Sequence, residues 1–454
     1  MKNYILLLLA LLSISTSAQC YDVIRAGNHF NFGIQDDGTL WSWGRNWNGQ
    51  LGIGTTTDSS IPVQVNSSND WKEIDAALLH VLALKTDGTL WTWGSNSYGQ
   101  LGNNTTEDST VPIQIGTDND WQMIGAGIVS SVALKTDGTL WAWGGNALNQ
   151  LGDGTTIDSH VPIQIGNSDD WSIISAGHHY TLALKNNGTL WAWGYNSNGQ
   201  LGDNTTIDKS VPTLISNENT WVDIKTGFTH SIALKNDGTL WSWGNNLNGQ
   251  LGRPANLTNK NFPNQVGTDN DWQTISAGGN FTLAIKTDGS LWAWGQNYFG
   301  SLGNGTTVDS SVPIQIEGDT DWVAIHCGGY HSIAQKSDGG IYLWGWNAQG
   351  QLGNGTTEDS LVPININSCM LSLDEQYMLP VITIFPNPTD GYINISSANE
   401  SDVLLMKIYD TNGKLLLEQN EQFKSIDLRD FQKGIYFLNI ITNQGTITHK
   451  ILKK

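Results

Sequence analysis

The tripeptide Trp-x-Trp-Gly recurs at a spacing of 50 residues. Its glycine falls at Gly44, Gly94, Gly144, Gly194, Gly244, Gly295 and Gly345, with a single step of 51 and with Tyr342 in place of the first Trp in the last copy. So strict a period makes the chain one supersecondary unit copied seven times. In the copy spanning residues 71–120, WKEIDAA, HVLALKTDG, TLWTWG and VPIQI read as four short strands. An Asp-Gly or Asn-Gly pair separates the second from the third (37–38, 87–88, 137–138, 187–188, 237–238, 288–289, 338–339) and predicts a two-residue type I′ turn with positive φ at both positions. Four strands per copy imply about 28 in all, too many for one open sheet. Radial repetition of small sheets is the expected all-β solution.

The tryptophans support that reading. Of 21, 19 sit at three fixed places: opening the unit (Trp71 and its equivalents), opening the Trp-x-Trp-Gly, and closing it. Rings at a fixed period are expected to fill the space between sheets. Gly49, Gly99, Gly199, Gly249, Gly300 and Gly350 share a position where Asn149 is the sole substitute. Glycine and asparagine both tolerate the left-handed region, so a turn, and not a phosphate cradle, is expected there.

Charge narrows the function. Residues 21–373 carry 13 cations against 32 acids, and six of the cations are lysines two residues before the Asp-Gly or Asn-Gly turns (Lys85, Lys135, Lys185, Lys235, Lys286, Lys336). No basic stripe remains for phosphates, which excludes nucleic acid as a partner. Residues 1–18 read as a secretory signal: Lys2, an apolar run from Ile5 to Leu12, and a small-residue end at Ala18. The run is too short to span a bilayer. Lipidation at Cys20 is disfavoured by Gln19 before it.

Together, A-G-x-x-H, L-x-x-D-G-x-L-W-x-W-G-x-N and G-Q-L-G-x-G resemble the regulator of chromosome condensation repeat. The resemblance covers residues 21–367 and implies a seven-bladed β-propeller, assigned here to residues 19–369. Ser301, Tyr342, Gln335 and the segment 253–263 depart from the pattern, at loops and one edge. After a linker at 370–379, residues 380–454 alternate as a separate small β-sandwich. This part resembles the C-terminal sorting domain of the type IX secretion system of certain Gram-negative bacteria. The residues that carry the likeness are Pro386, Asn387, Pro388 and Gly391, then Gly413 and Lys414, then Gly434 and Tyr436. It implies export by the outer-membrane secretion machinery to the surface or the medium.

In a closed ring Cys20 and Cys369 are neighbours, and a disulfide between them is expected. Closing so long a loop stabilises by roughly 2–4 kcal/mol in the chain-entropy view. Cys327 stands where the other copies have a small residue and is expected to be a buried, inert thiol. His80, His230 and His331 share one repeat position, so a structural bond to a neighbouring loop is expected, and no catalytic residue is singled out. The acidic loops before the opening Trp (Asp118 and Asp120, for example) and the loop from Asp153 to Asp158 offer alternating oxygens. Calcium is the sharper reading and ordinary Asx turns the blander one; no metal or cofactor is assigned. Ser109 and Ser360 follow aspartates as in the O-glycosylation acceptors of such bacteria.

Alternating strand direction puts the first-to-second and third-to-fourth loops on one face. That face carries the side chains that differ between copies: Trp47, Tyr98, Leu148, Tyr195, Leu247, Tyr298, Phe299 and Trp346 on the long loops, and His29, His178, Phe228 and Tyr330 on the short ones. A variable aromatic ring on a rigid scaffold points to a non-enzymatic, monomeric, exported propeller that binds an extracellular protein or glycan. A structural or adhesive surface component is the alternative. A secreted enzyme is disfavoured because this face lacks paired carboxylates. Nucleotide exchange on a small GTPase, as the eukaryotic namesake performs, is disfavoured by location.

Overall fold

The computed structural model describes residues 21–253, 257–366, 382–385, 387–397, 403–410, 414–420, 424–442 and 445–454. The chain divides into two compact units, Met1–Asn367 and Ser368–Lys454. In the first, every copy folds as a four-stranded antiparallel sheet of consecutive strands. Blade one comprises β1 (Tyr21–Ala26), β2 (Phe30–Gln35), β3 (Leu40–Gly44) and β4 (Ser59–Gln64), running from the axis outward. The seventh is built likewise, from Trp322–Cys327 to Ser360–Asn365, so among the described residues no strand is exchanged at closure.

The core lies between blades, not within them. Phe30, Phe32, Ile34 and Leu40 of blade one pack on Trp71, Ile74, Val81 and Trp93 of blade two, and the pattern repeats around the ring. Opening and closing tryptophans meet edge to face, as Trp71 and Trp93 do at 6.0 Å and Trp171 and Trp193 at 6.1 Å. Each closing Trp also donates its indole N–H to a main-chain carbonyl of the preceding blade. The acceptors are Gln351, Gln50, Gln100, Gln150, Gln200, Gln250 and Ser301, at 2.8–3.1 Å. Because the acceptor is backbone, Ser301 serves as well as glutamine.

The long loop of each blade reaches over the next. Gly54 N–H bonds Thr110 O, Gly154 N–H bonds Ser210 O, and at the closing seam Gly355 N–H bonds Ser60 O at 2.9 Å. Gly49 (φ 75°) leaves no room for a side chain, since a Cβ there would lie 2.6 Å from the Thr110 backbone; Asn149 takes the same left-handed conformation at φ 63°. Extra bonds tie blade seven to blade one: Gln335 Nε2 to Tyr21 O at 3.0 Å, His331 Nε2 to Asn31 Oδ1 at 2.7 Å, and Arg25 to His326 at 2.9 Å. The Gln335 departure therefore serves the seam.

Two expectations need correction. The Asp-Gly turns are not type I′. Gly38 N–H closes a turn on Gln35 O, and in this pair only Gly38 has positive φ (79°). Asp37 keeps negative φ because its carboxylate works locally, accepting from Thr39 N at 2.9 Å and Thr39 Oγ1 at 2.6 Å. This is a three-residue hairpin with a left-handed glycine. Cys327 is half-buried and not fully buried, because it lines the axial cavity; its sulfur, 3.5 Å from Ser276 O, is desolvated enough to push the thiol up to about 12, so only the burial and not the inertness is corrected. Cys20 and Cys369, Pro386 and Gly413 lie outside the described residues.

The second unit has a three-stranded and a four-stranded sheet whose apolar residues, including Ile393, Met406, Ile426, Leu438 and Ile451, form one core. Asn387 clasps the last strand, giving a hydrogen bond to Lys450 O and taking one from Leu452 N. Pro388 is exposed beside it, and Thr389 N bonds Leu452 O. Gly391 N bonds Thr389 Oγ1, Lys414 N bonds Asp410 Oδ1, and Gly434 opens the strand on which Tyr436 gives its hydroxyl hydrogen bond to Gln432 O.

Candidate functional site

The loop face is asymmetric. Main-chain bonds between adjacent short loops (Ile128 N to His178 O, Phe228 N to Gly279 O, Gly329 N to Asn28 O) draw these loops round the axis. They leave a mouth of about 90 Å³, lined by Asn28, Leu78, Ile128, His178, Phe228 and Gly329. Blades six and seven have Gly279 and Gly329 at this position, and the vacated space is taken by the Phe228 ring and the Asn28 amide respectively.

Seven of the twelve expected side chains form one connected aromatic network. Phe299, Tyr330 and Trp346 lie within 5.5–6.0 Å of each other. His29 stacks on Tyr330 at 6.0 Å and meets Trp346 edge-on at 4.7 Å, Tyr298 extends the patch through Phe299 at 4.8 Å, and Phe228 joins Tyr330 to His178, on which it stacks at 3.7 Å. Trp47 stands apart, under the Arg45 guanidinium at 4.0 Å and bonded to Asp58. Tyr98, Leu148, Tyr195 and Leu247 occupy the same loops, with no ring contact to this network among the described residues. Tyr298, 70% exposed, is the most accessible ring of the network.

Burial sets the charge of the histidines. His29 is lowered to about 4 and His178 to about 3, by desolvation first and then by Arg45 and His179 respectively. Both are neutral at physiological pH. His80, His230 and His331, each lowered to about 3 by burial, give Nε2 contacts to Ser131, Thr282 and Asn31 of the next blade. Ser131 and Thr282 donate their own hydroxyl hydrogens to Gln100 O and Gln250 O, so the imidazoles are the donors. These three staple blades together, on strands and not on loops.

The acidic loops hold lysine. Lys135 Nζ lies 2.6 Å from Asp118 and 3.1 Å from Asp120, and Lys286 sits likewise between Asp269 and Asp271. Asp153 accepts from Thr155 and Asn146, and Asp158 from Asn146 N, which makes that loop an Asx turn. The Ser109 and Ser360 hydroxyls donate to Val111 O and Val362 O.

Sequence reading missed the axis. Below the mouth, a cavity of about 390 Å³ is walled by inner strands whose inward side chains vary between blades, among them Arg25, Glu73, Asp75, Asp223, Lys225 and His326. The signal was there, as charge at two otherwise variable positions of a near-identical repeat. Burial pushes Glu73 up to about 7, against the pull of Arg25 and helped by Asp75. Folding therefore favours protonated Glu73, and its contribution to stability declines as pH rises from 4.5 to 7. Glu73→Gln is expected to match the parent at pH 4 and to exceed it at pH 8 by roughly 1–2 kcal/mol, solvent in the cavity screening part of the effect. Thermal melts at the two pH values check this.

The fold defines a seven-bladed repeat propeller. A model of the RCC1-like domain matches residues 164–399, and the regulator of chromosome condensation repeat matches residues 37–84, 87–134 and 137–184. The chain belongs to the RCC1-like family. The secretion system C-terminal sorting domain matches residues 383–454, which marks the protein for type IX secretion to the cell surface or the extracellular space. Three solved structures show the same fold. Human WBSCR16 is 22% identical, with 72% of this chain and 93% of that one covered at a TM-score of 0.67. Prp20p of Saccharomyces cerevisiae, described with its binding to Gsp1p and histones, is 22% identical, with 77% and 87% covered at 0.66. Yeast RCC1 (Prp20) bound to Kap60 is 19% identical, with 85% and 94% covered at 0.66. No curated protein matches the chain. The matched families are generally non-catalytic binders.

Proposed function

We propose that this exported propeller is a non-enzymatic binding protein that takes an extracellular partner on its loop face, and that the working sector spans blades four to one. The supporting observation is the connected network from His178 through Phe228, Tyr330, Phe299 and Trp346 to His29, built where near-identical copies differ most. An aromatic patch on rigid loops is the composition of an interface hot spot. The mature chain is read as residues 19–369 after removal of 1–18, with 370–379 linking it to the sorting domain at 380–454.

The test is capture from the surface and medium fractions of the producing cells. The secreted protein is compared with a triple variant, Tyr298→Ser, Phe299→Ser and Trp346→Ser, matched for melting temperature. A partner retained by the parent and lost by the variant is the expected result. Equal retention by both would move the site elsewhere and favour a purely structural surface role.

A further inference from the structure

The seam between blades seven and one adds polar chemistry to the aromatic sector. Asn28 and His29 are more than nine-tenths buried, yet Asn28 Oδ1 and His29 Nδ1 have no hydrogen-bond partner among the described residues. Asn28 lies over Gly329 at the axial mouth, next to Tyr330, and any side chain at 329 would collide with its amide oxygen. His29 sits against the faces and edges of Tyr330 and Trp346. An unmet buried polar atom costs about 1–3 kcal/mol. Asn28 Oδ1 accepts and His29 Nδ1 donates or accepts with the tautomer, so the two beside one aromatic patch call for a ligand with groups that do both, as hydroxyls do.

On the reading that this sector is the binding face, we propose that blades six, seven and one form a subsite for a neutral carbohydrate. A sugar ring has an apolar C–H face to lie on Tyr298 and Trp346 and hydroxyls at its edge to reach Asn28 and His29. An apolar protein anchor would cover the rings and leave both polar atoms unmet. An acidic ligand is disfavoured because the charges on these loops are carboxylates: Asp359 accepts from Asn347 N beside Trp346, and Asp309 from Asn297 N beside Tyr298. His29 is neutral, and the nearest cation, Arg45, lies over Trp47 beside Asp58. The mouth has room for about three waters, so the ring rests on the aromatic shelf and sends one hydroxyl or hydroxymethyl group inward.

The experiment is binding of the full secreted chain to an array of neutral and acidic glycans, followed by affinity electrophoresis in the best-bound neutral polysaccharide. Trp346→Ala and Asn28→Ala are each expected to weaken retention about tenfold or more, the scale of one stacking contact or one hydrogen bond. Trp346→Phe should recover part of it, and Ile207→Ser, on an outer loop, none of the loss. If folding of Trp346→Ala is impaired, Tyr298→Ala replaces it, since that ring is mostly exposed. Binding to acidic glycans alone, binding to none, or equal loss in Ile207→Ser would overturn the assignment. If a protein is captured through Trp346 while no neutral glycan binds, the binding face stands and the carbohydrate subsite falls. If neither depends on Trp346, both fall.

Discussion

Replacing Trp193 or Trp43 by alanine is expected to lower the unfolding free energy by about 3–5 kcal/mol in each case, with different unfolding patterns. Both indoles are fully buried, and both donate to a carbonyl of the preceding blade, Gln150 O at 3.1 Å and Gln351 O at 3.0 Å. Locally the two deletions are equivalent. Blades three and four are also joined by the chain between Gln164 and Trp171, whereas blades seven and one meet with no covalent link among the described residues. Loosening the seam at Trp43 should therefore open the ring. Amide exchange is expected to quicken in β1, β2 and His331–Lys336 for Trp43→Ala, and to stay confined to blades three and four for Trp193→Ala. If Cys20 and Cys369 pair, reductant should widen the difference. Identical exchange patterns in the two variants would show that noncovalent closure alone equals chain continuity.

Much of this architecture is visible in the sequence because it is built by repetition. A ring at Trp71 and again at Trp121 and Trp171 reports a packing position regardless of detail, and Asn149 standing in for glycine reports a left-handed turn that the structure shows at φ 63°. What a repeat cannot disclose is what breaks its symmetry. Gln335 looked like decay of a leucine position, but it bonds Tyr21 O across the seam, a contact that exists only when the ends meet. Trp47 and Trp346 are the two tryptophans outside the repeat positions, and a closed ring puts their blades side by side. Yet Trp346 joins Phe299, Tyr330 and His29, while Trp47 folds under Arg45, because they sit at different positions of their loops. The hairpin type was misread for a local reason: Asp37 spends its carboxylate on Thr39 and so keeps ordinary backbone geometry.

Lys135, which shares its surroundings with Lys286 and Lys336, is expected to matter far more than an exposed cation: Lys135→Met should cost about 2–3 kcal/mol, against under about 0.5 for the exposed Lys72→Met. Its ammonium lies 4.9 Å from the rings of both Trp121 and Trp141 and pairs with Asp118 and Asp120. Methionine keeps much of the apolar stem, so the loss reports the charge. Without it, two carboxylates face each other beside the negative faces of two indoles. The aspartates are about half exposed, which holds the cost below that of a buried pair. Salt should erode the ion-pair part and leave the cation–π part, so the parent-to-variant gap narrows without closing at 1 M NaCl. Adding Asp118→Asn and Asp120→Asn to Lys135→Met should restore part of the stability, a coupling that a thermodynamic cycle measures. Blade one already shows a neutral version of the site, with Tyr21 bonded to Gln35 where other blades have Trp and Lys. If Lys135→Met cost nothing, ring packing alone would hold these hairpins, and the sixfold recurrence of the lysine would need another cause.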